Sequence, residues 1–354
     1  MSQSPPAPRG RSTGLNPANR FEPLHVELAP DLDEVTPTTY FRDSTRRIIA
    51  RNDSPDVPFT YSINPYRGCE HGCAYCYARP GHEYLGFSPG LDFESKIVVK
   101  ADAPALLRKE LSAPSWTPSV LAMSGVTDAY QPVESKLELT RGCLSVLAEL
   151  RHPVTIVTKN ALVVRDLDLL GELARHEAAS VFLSITTLDD ELCRAMEPRT
   201  SRPSRRLDAL KQLADAGIPC GVMVAPVIPG LNDHEIPAIL EAAAAAGARQ
   251  AGKVMLRLPG PVADLFEHWL ERYSPERRRR VMQHLRSMRG DQRNDAQFGS
   301  RMRGHGAYAE HAESMFAAGC RRHGLNQRTF SLRTDAFRRP GQCALPFGED
   351  SHRP

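Results

Sequence analysis

The chain has 354 residues, too many for a minimal domain and enough for one α/β barrel-sized core with attachments. Forty-five Lys and Arg against 42 Asp and Glu leave a net charge of +3, which favours no particular partner, and no apolar run of ~18 residues offers a membrane span. Eight cysteines, three of them clustered, suit a reducing compartment with a metal site, and the polar N-terminus lacks the apolar core of a signal peptide, so a cytoplasmic protein is expected.

Residues 1 to about 45 carry seven prolines and little apolar periodicity, which predicts a mostly disordered arm, ordered at most near Phe21-Glu22-Pro23. Residues 57–63 are β-prone and lead straight into a cysteine loop. From there the chain alternates. Strands are predicted at Ile97–Lys100, Ser119–Met123, Val154–Thr158, Val181–Ile185, Cys220–Val224 and Lys253–Leu256. Helices are predicted at Ala105–Leu111, from Leu139 to Leu150, at Leu162–Leu173, through Leu207, Leu210 and Leu213 to Gly217, and at Glu235–Ala246. Apolar spacing puts Cys143 on the core face of its helix.

Strands and helices alternating in units of ~30 residues imply right-handed crossovers and a parallel sheet. About six units count from the cysteine strand, too few for an eightfold barrel. The expected fold class is α/β, a partial (β/α)6 barrel over residues 46–260 between the arm (1–45) and a helical, Arg-rich extension (261–354). In that extension ten arginines face three acids from Arg272 to Arg303, with helices expected at Pro275–Gly290 and Gly306–Arg322. Such a stripe can neutralise phosphates, or it can be a solvated face in a chain that uses arginine where others use lysine.

The densest chemistry lies in Asn64-Pro65-Tyr66-Arg67-Gly68-Cys69-Glu70-His71-Gly72-Cys73-Ala74-Tyr75-Cys76-Tyr77, where three cysteines stand at the spacing C-x3-C-x2-C. The next cysteine is Cys143. A closed zinc site needs four ligands, usually from two knuckles, whereas three thiolates suit a [4Fe–4S] cluster with one iron left open. Gly68 and Gly72 let the backbone wrap a cluster closely. In a barrel of parallel strands, ligands bind at the carboxyl ends, so the residues after each strand are the other candidates.

This cysteine spacing, with the aromatic Tyr75 before the last cysteine, resembles the signature of radical S-adenosylmethionine (SAM) enzymes. The resemblance implies a [4Fe–4S] cluster on Cys69, Cys73 and Cys76, SAM chelated to the open iron, and reductive cleavage of SAM to a 5′-deoxyadenosyl radical that abstracts hydrogen from substrate. It also implies an electron donor such as a flavodoxin or ferredoxin. Within the superfamily the chain is most similar to the spore photoproduct lyase subgroup, a set of DNA-repair lyases and uncharacterised relatives. The match is carried by Cys76-Tyr77, Thr127-Asp128, Val157-Thr158-Lys159, Leu183-Ser184-Ile185, Met196-Glu197-Pro198 with Thr200 and Arg206-Leu207, and Val224-Ala225-Pro226. By that likeness Lys159 binds the SAM carboxylate, Ser184 the ribose, Thr127 and Asp128 lie beside SAM, and Tyr75 lies beside the adenine. Glu197 and Arg206 also match, with a purely structural ion pair as the other reading. The lyase's hydrogen-donating cysteine aligns with Gly125, flanked by Ser124, so dimer reversal by that relay is not implied. Cys143, Cys193, Cys220 or Cys320 could substitute only by facing the cavity; Cys193, on the loop-helix after the fourth strand, is the foremost of them, with a buried, inert cysteine as the default reading of each. The residues leave the substrate open, nucleic acid being one class the likeness allows, and the competing reading is a non-catalytic iron–sulfur or zinc module that binds nucleic acid through its arginine helices.

Overall fold

A computed structural model describes residues 8, 10–21, 37–123, 125–328 and 330–340. Its centre is a seven-stranded sheet made of β2 (Ile49–Arg51), β3 (Tyr61–Ile63), β6 (Leu121–Met123), β7 (Val154–Thr158), β8 (Ala179–Ser184), β9 (Cys220–Val227) and β10 (Gln250–Met255). The spatial order is β10-β9-β8-β7-β6-β3-β2. From β3 to β10 every neighbouring pair is parallel, and β2 closes the edge antiparallel to β3. Six parallel strands therefore follow one another, in sequence order, as a partial barrel.

Helices α2 (Ala103–Ser112), α4 (Leu139–Leu150), α5 (Leu167–Ala174), α7 (Pro203–Asp215) and α8 (Ile236–Ala245) are crossover helices between successive parallel strands. In α4 the side chains of Cys143, Leu144, Val146, Leu147 and Leu150 are buried, the face expected from their spacing. One predicted helix is divided in the structure. Asn160 accepts a hydrogen bond from Leu162 N and closes a tight 3-10 turn over Ala161–Asp166 before α5 begins. Ahead of α7 lies a separate α6 (Asp190–Met196), which is capped by Asp189 and ends before Pro198; Pro203 then starts α7 at a position where a proline ring is tolerated.

The strand expected at Ile97–Lys100 forms, as β5 (Lys96–Val99), but outside the barrel. It sits between β1 (Thr39–Arg42) and β4 (Tyr66–Arg67) in a three-stranded sheet, following the short α1 (Leu91–Ser95). The short α3 (Glu134–Leu137) lies between β6 and α4. After the barrel come α9 (Val262–Tyr273), α10 (Pro275–Ser287) and α11 (Gly306–Arg322). Their buried Phe266, Trp269, Leu285 and Phe316 belong to the same core cluster as the barrel strands. α11 lies directly on α8 at Gly319, where an added Cβ would come within 2.6 Å of Leu240 Cδ1.

The arm expected to be disordered contains a docked segment. Arg11, Ser12, Thr13 and Asn19 are buried, and β1 adds a strand at residues 39–42. The physical reason is polar pairing: Ser12 Oγ donates to Glu94 Oε1 at 2.8 Å, Asn16 Nδ2 to Asp92 Oδ1 at 3.2 Å, and Arg20 Nε to Glu83 Oε1 at 2.8 Å. The rest of the arm, including Glu22 and Pro23, lies outside the described residues, as do Ser124 and Cys343. Among the described residues no helix is long and apolar enough to cross a membrane.

Candidate functional site

The cysteine loop begins where β4 leaves the small sheet. Gly68 and Gly72 both have left-handed backbones (φ +76° and +63°). A Cβ on Gly72 would stand 2.7 Å from Glu94 Oε2, and one on Gly68 would stand 3.0 Å from Lys96 O, so neither position has room for a side chain. Beneath the loop Arg79 is fully buried. It donates to Cys73 O from both Nε (3.2 Å) and NH2 (2.9 Å), to Gly90 O (2.9 Å), and to Glu94 Oε1 at 2.5 Å. A buried arginine therefore fixes the main chain that carries the middle cysteine, and its charge is matched by a buried carboxylate.

Cys69 and Cys73 are buried and Cys76 is half-buried. Burial is the first cause that pushes the Cys73 thiol well above its ordinary range and the Cys76 thiol up to about 11. Without a cation the Cys73 and Cys76 sulfurs hold their protons; a coordinated metal would remove them. Among the described residues no three Cys, His, Asp or Glu side chains are grouped as the ligands of one ion. Each thiolate of a four-iron cube binds a different iron, so its sulfurs need not converge on one point. A glycine-wrapped loop with three thiols, and no fourth beside them among the described residues, fits a cluster with one open iron.

The strand ends converge on this loop. Asp128, after β6, accepts hydrogen bonds from Thr158 Oγ1 (2.7 Å), Lys159 N (2.8 Å) and Tyr130 N (2.9 Å), and lies 3.4 Å from His71 Nδ1. It thereby ties the end of β7 to the cysteine loop. Burial opposes its charge, but His71 and these donors hold it below the usual carboxylate range. Burial likewise opposes protonation of His71, but Asp128 and the adjacent Cys69 raise it to about 10.

Lys159 Nζ reaches Ala225 O at the end of β9 (3.0 Å), Thr186 Oγ1 after β8 (3.1 Å) and Glu197 Oε1 (3.3 Å), and it lies over the Tyr75 ring at 5.7 Å. Glu197 is completely buried. It accepts from Thr186 Oγ1 (2.6 Å), from the Tyr75 hydroxyl and from Arg206 NH2. Burial alone would raise the Glu197 carboxyl, but Arg206 and then Lys159 hold it well below its ordinary value. Arg206 also donates to Ser184 O (2.7 Å), Ser201 O (2.7 Å) and Thr200 Oγ1 (2.6 Å).

The structure thus gathers Tyr75, Lys159, Glu197 and Arg206 into one hydrogen-bonded set, and links Asp128 to it through Lys159. Ser184 is buried at the end of β8 with its carbonyl on Arg206. Thr127 turns its hydroxyl to Tyr66 O at 3.1 Å and its amide to Asn64 Oδ1, tying β6 to the cysteine strand. His71, Arg79, Glu94 and Thr186 were not singled out from sequence, although His71 and Gly72 lie inside the cysteine motif. Asn232, after β9, donates its amide to Thr186 O (2.6 Å) and Pro226 O (3.1 Å).

Cys193 is buried against Arg206 NH2 (3.5 Å) and Glu197 Oε2 (3.9 Å). Cys143, Cys220 and Cys320 are buried away from the mouth in the core. Several of the ten arginines are used internally. Arg278 pairs with Glu267 at 2.7 Å and Arg301 with Asp56, while Arg289 is buried on Leu256 O at 2.8 Å.

Against known families, the Radical SAM superfamily description matches residues 63–243. An uncharacterized protein of Mycobacterium tuberculosis (strain H37Rv) is 43% identical over 222 residues, 62% of this chain and 65% of that one, so the match spans less than two thirds of the relative's length. A radical SAM Nα-GlyT isomerase of Pseudomonas phage M6 is 28% identical over 186 residues, 52% of this chain and 36% of the isomerase. Spore photoproduct lyase complexed with dinucleoside spore photoproduct shares the fold, with a TM-score of 0.56 at 17% identity over 81% of this chain and 80% of the lyase.

Proposed function

The chain belongs to the radical SAM superfamily, and we propose that it is an enzyme which carries a [4Fe–4S] cluster on Cys69, Cys73 and Cys76 and binds SAM at the carboxyl ends of its strands. The observation that carries this reading is the meeting, in one barrel mouth, of three glycine-wrapped thiols and a strand-end lysine within reach of β8 and β9. When bound, cluster and SAM together supply a one-electron cleavage that yields a hydrogen-abstracting radical.

The protein's own residues prepare the place. Arg79 and Glu94 hold the loop backbone, so the sulfurs are presented without rearrangement. Lys159 offers a cation to a carboxylate ligand, and Glu197 holds that cation in position. Asp128 orients the end of β7 through the Lys159 amide. Tyr75 lies under Lys159 with its hydroxyl on Glu197, and Ser184 and Thr127 complete the strand ends assigned to SAM. A module that only bound nucleic acid would have no use for this convergence.

A nucleic-acid base is the substrate class we propose. Support comes from exposed rings paired with guanidinium groups beside the mouth: Tyr77 lies under Arg257 at 5.8 Å, with its hydroxyl on Gly125 O at 2.9 Å, and Phe298 under Arg301 at 4.4 Å. Ring faces stack on bases and arginines contact phosphates.

The test is anaerobic reconstitution with iron and sulfide, followed by dithionite and SAM, with assay of 5′-deoxyadenosine. Formation by the wild type and loss in Cys69→Ala is the expected result. A protein that takes up one zinc, no cluster, and leaves SAM intact would refute the assignment.

A further inference from the structure

The register of the small sheet places Phe41 opposite Val98, and Val98 opposite Arg67, so all three share one face. Lys96, two residues before Val98, points the same way. Phe87 packs on this face, with its ring 5.4 Å from Phe41 and 5.1 Å from Lys96 Nζ. Inward from Phe87 the rings continue. His82 is 5.2 Å from Phe87, and Phe93 is 5.5 Å from His82. Phe93 packs with Cys69 and Cys76, and its carbonyl accepts from Cys69 N at 2.9 Å. His82 Cε1 lies 3.0 Å from where a Cβ on Gly68 would be. A continuous line of packed rings therefore runs from the exposed Phe41 to two of the cysteines.

The charge around its outer end is one-sided. Arg67 is 44% exposed and its partner Asp43 9%; Lys96 is 28% exposed and Asp92 10%; Arg20, next to Asn19 whose amide donates to Phe87 O at 3.2 Å, is 52% exposed and Glu83 fully buried. In each pair the cation faces water and the acid lies beneath it. In the Arg42–Asp102 pair, on the other face of β1, the acid faces water as well. Phe21 and Tyr84, stacked at 5.0 Å and both exposed, extend the apolar surface beside Arg20.

We propose that this face is the docking surface for an acidic one-electron carrier protein, and that the Phe41–Phe87–His82–Phe93 line is the packed path from the carrier to the cysteine loop. The proposal rests on the cluster reading above. In the step concerned the carrier loses one electron and the cluster gains it; no bond forms or breaks. A small cationic patch with exposed rings suits a transient encounter steered by charge, the usual form of electron-transfer complexes. The path matters because tunnelling through packed atoms falls off less steeply with distance than tunnelling through gaps.

The experiment uses the full chain and an acidic flavodoxin in its hydroquinone form. Cluster reduction is followed by anaerobic stopped-flow bleaching, and binding of the same flavodoxin to cluster-free protein is followed by titration calorimetry. Expected are a wild-type rate that falls with salt and a rate about tenfold slower in Arg67→Glu and in Arg20→Glu at low salt. Both variants should bind the flavodoxin correspondingly more weakly, while reduction by dithionite should be unchanged. Phe41→Ala should slow reduction at saturating flavodoxin. Rates and binding insensitive to Arg67→Glu, Arg20→Glu and Phe41→Ala would overturn the proposal. So would a concentration-dependent dimer that Phe41→Asp dissolves, without flavodoxin binding, because the face would then belong to a second copy. If the wild type takes up no cluster, the function proposed above fails, whereas the calorimetry still tests the surface.

Discussion

Glu197→Ala tests the framework of the barrel mouth. The carboxylate is completely buried and Arg206, its main partner, is 1% exposed, so removing the acid leaves a buried guanidinium with only neutral acceptors. Breaking one side of a buried pair costs about 3–5 kcal/mol. Arg206 keeps Ser184 O, Ser201 O and Thr200 Oγ1, which places the expected loss toward the lower end, about 3 kcal/mol. The double variant Glu197→Leu/Arg206→Met removes both charges and should lose clearly less than the two single losses combined, a coupling of about 2 kcal/mol or more. For contrast, Arg108 and Glu149 form an ion pair in which both side chains are about half exposed, and Arg108→Ala should cost under about 1 kcal/mol. The assay is urea unfolding of cluster-free protein at pH 7 by circular dichroism, with midpoints compared at constant slope. A Glu197→Ala loss below about 1 kcal/mol, equal to that of Arg108→Ala, would refute the reasoning, because the pair would then behave as a solvated one.

Three further outcomes are expected. Gly72→Ala forces a left-handed backbone on a residue with a Cβ, at about 1–2 kcal/mol, and pushes that Cβ onto Glu94; iron uptake per chain in reconstitution should drop well below the wild type, and full uptake would contradict the close wrap. His82 and His152 are both buried, and burial is the first cause that lowers each from 6.5 to about 4. A histidine kept neutral in the fold leaves stability intact above pH 6.5 and removes it as pH falls toward 4, because the unfolded chain binds the proton first. His152→Gln should accordingly flatten the loss of urea midpoint between pH 6.5 and 4.5 by an amount equivalent to about 2 kcal/mol, and a variant curve parallel to the wild type would count against it. Lys159→Ala should weaken SAM binding to the reconstituted protein by about 10- to 100-fold, as loss of a charged hydrogen bond does, with cluster absorbance retained; unchanged affinity would remove Lys159 from the SAM site.

Much of this arrangement is legible in the linear chain because its determinants are local. The three cysteines sit within eight residues, the strands and crossover helices each carry their own apolar period, and a lysine directly after a strand must lie at the barrel's carboxyl end whatever the packing. Periodicity also placed Cys143 in the core. What the sequence could not decide depends on partners far apart in the chain. Arg79 follows the motif by only three residues, but its use comes from Glu94 and Ser12, which fold onto it from opposite sides in sequence. The segment around Arg11–Asn19 reads as disordered because it has no apolar period. It is ordered by hydrogen bonds to buried acids 63 to 83 residues away, and such bonds leave no pattern in composition. Glu197 and Arg206 are nine residues apart, and only burial to the last few percent makes their pairing costly to break. Phe41 meets Phe87 only because β1 and β5 pair in one register; a slip of one residue would turn Phe41 to the other face. Local chemistry and periodicity therefore set the motif and the barrel, and long-range pairing set what supports the cysteines and what surface leads to them.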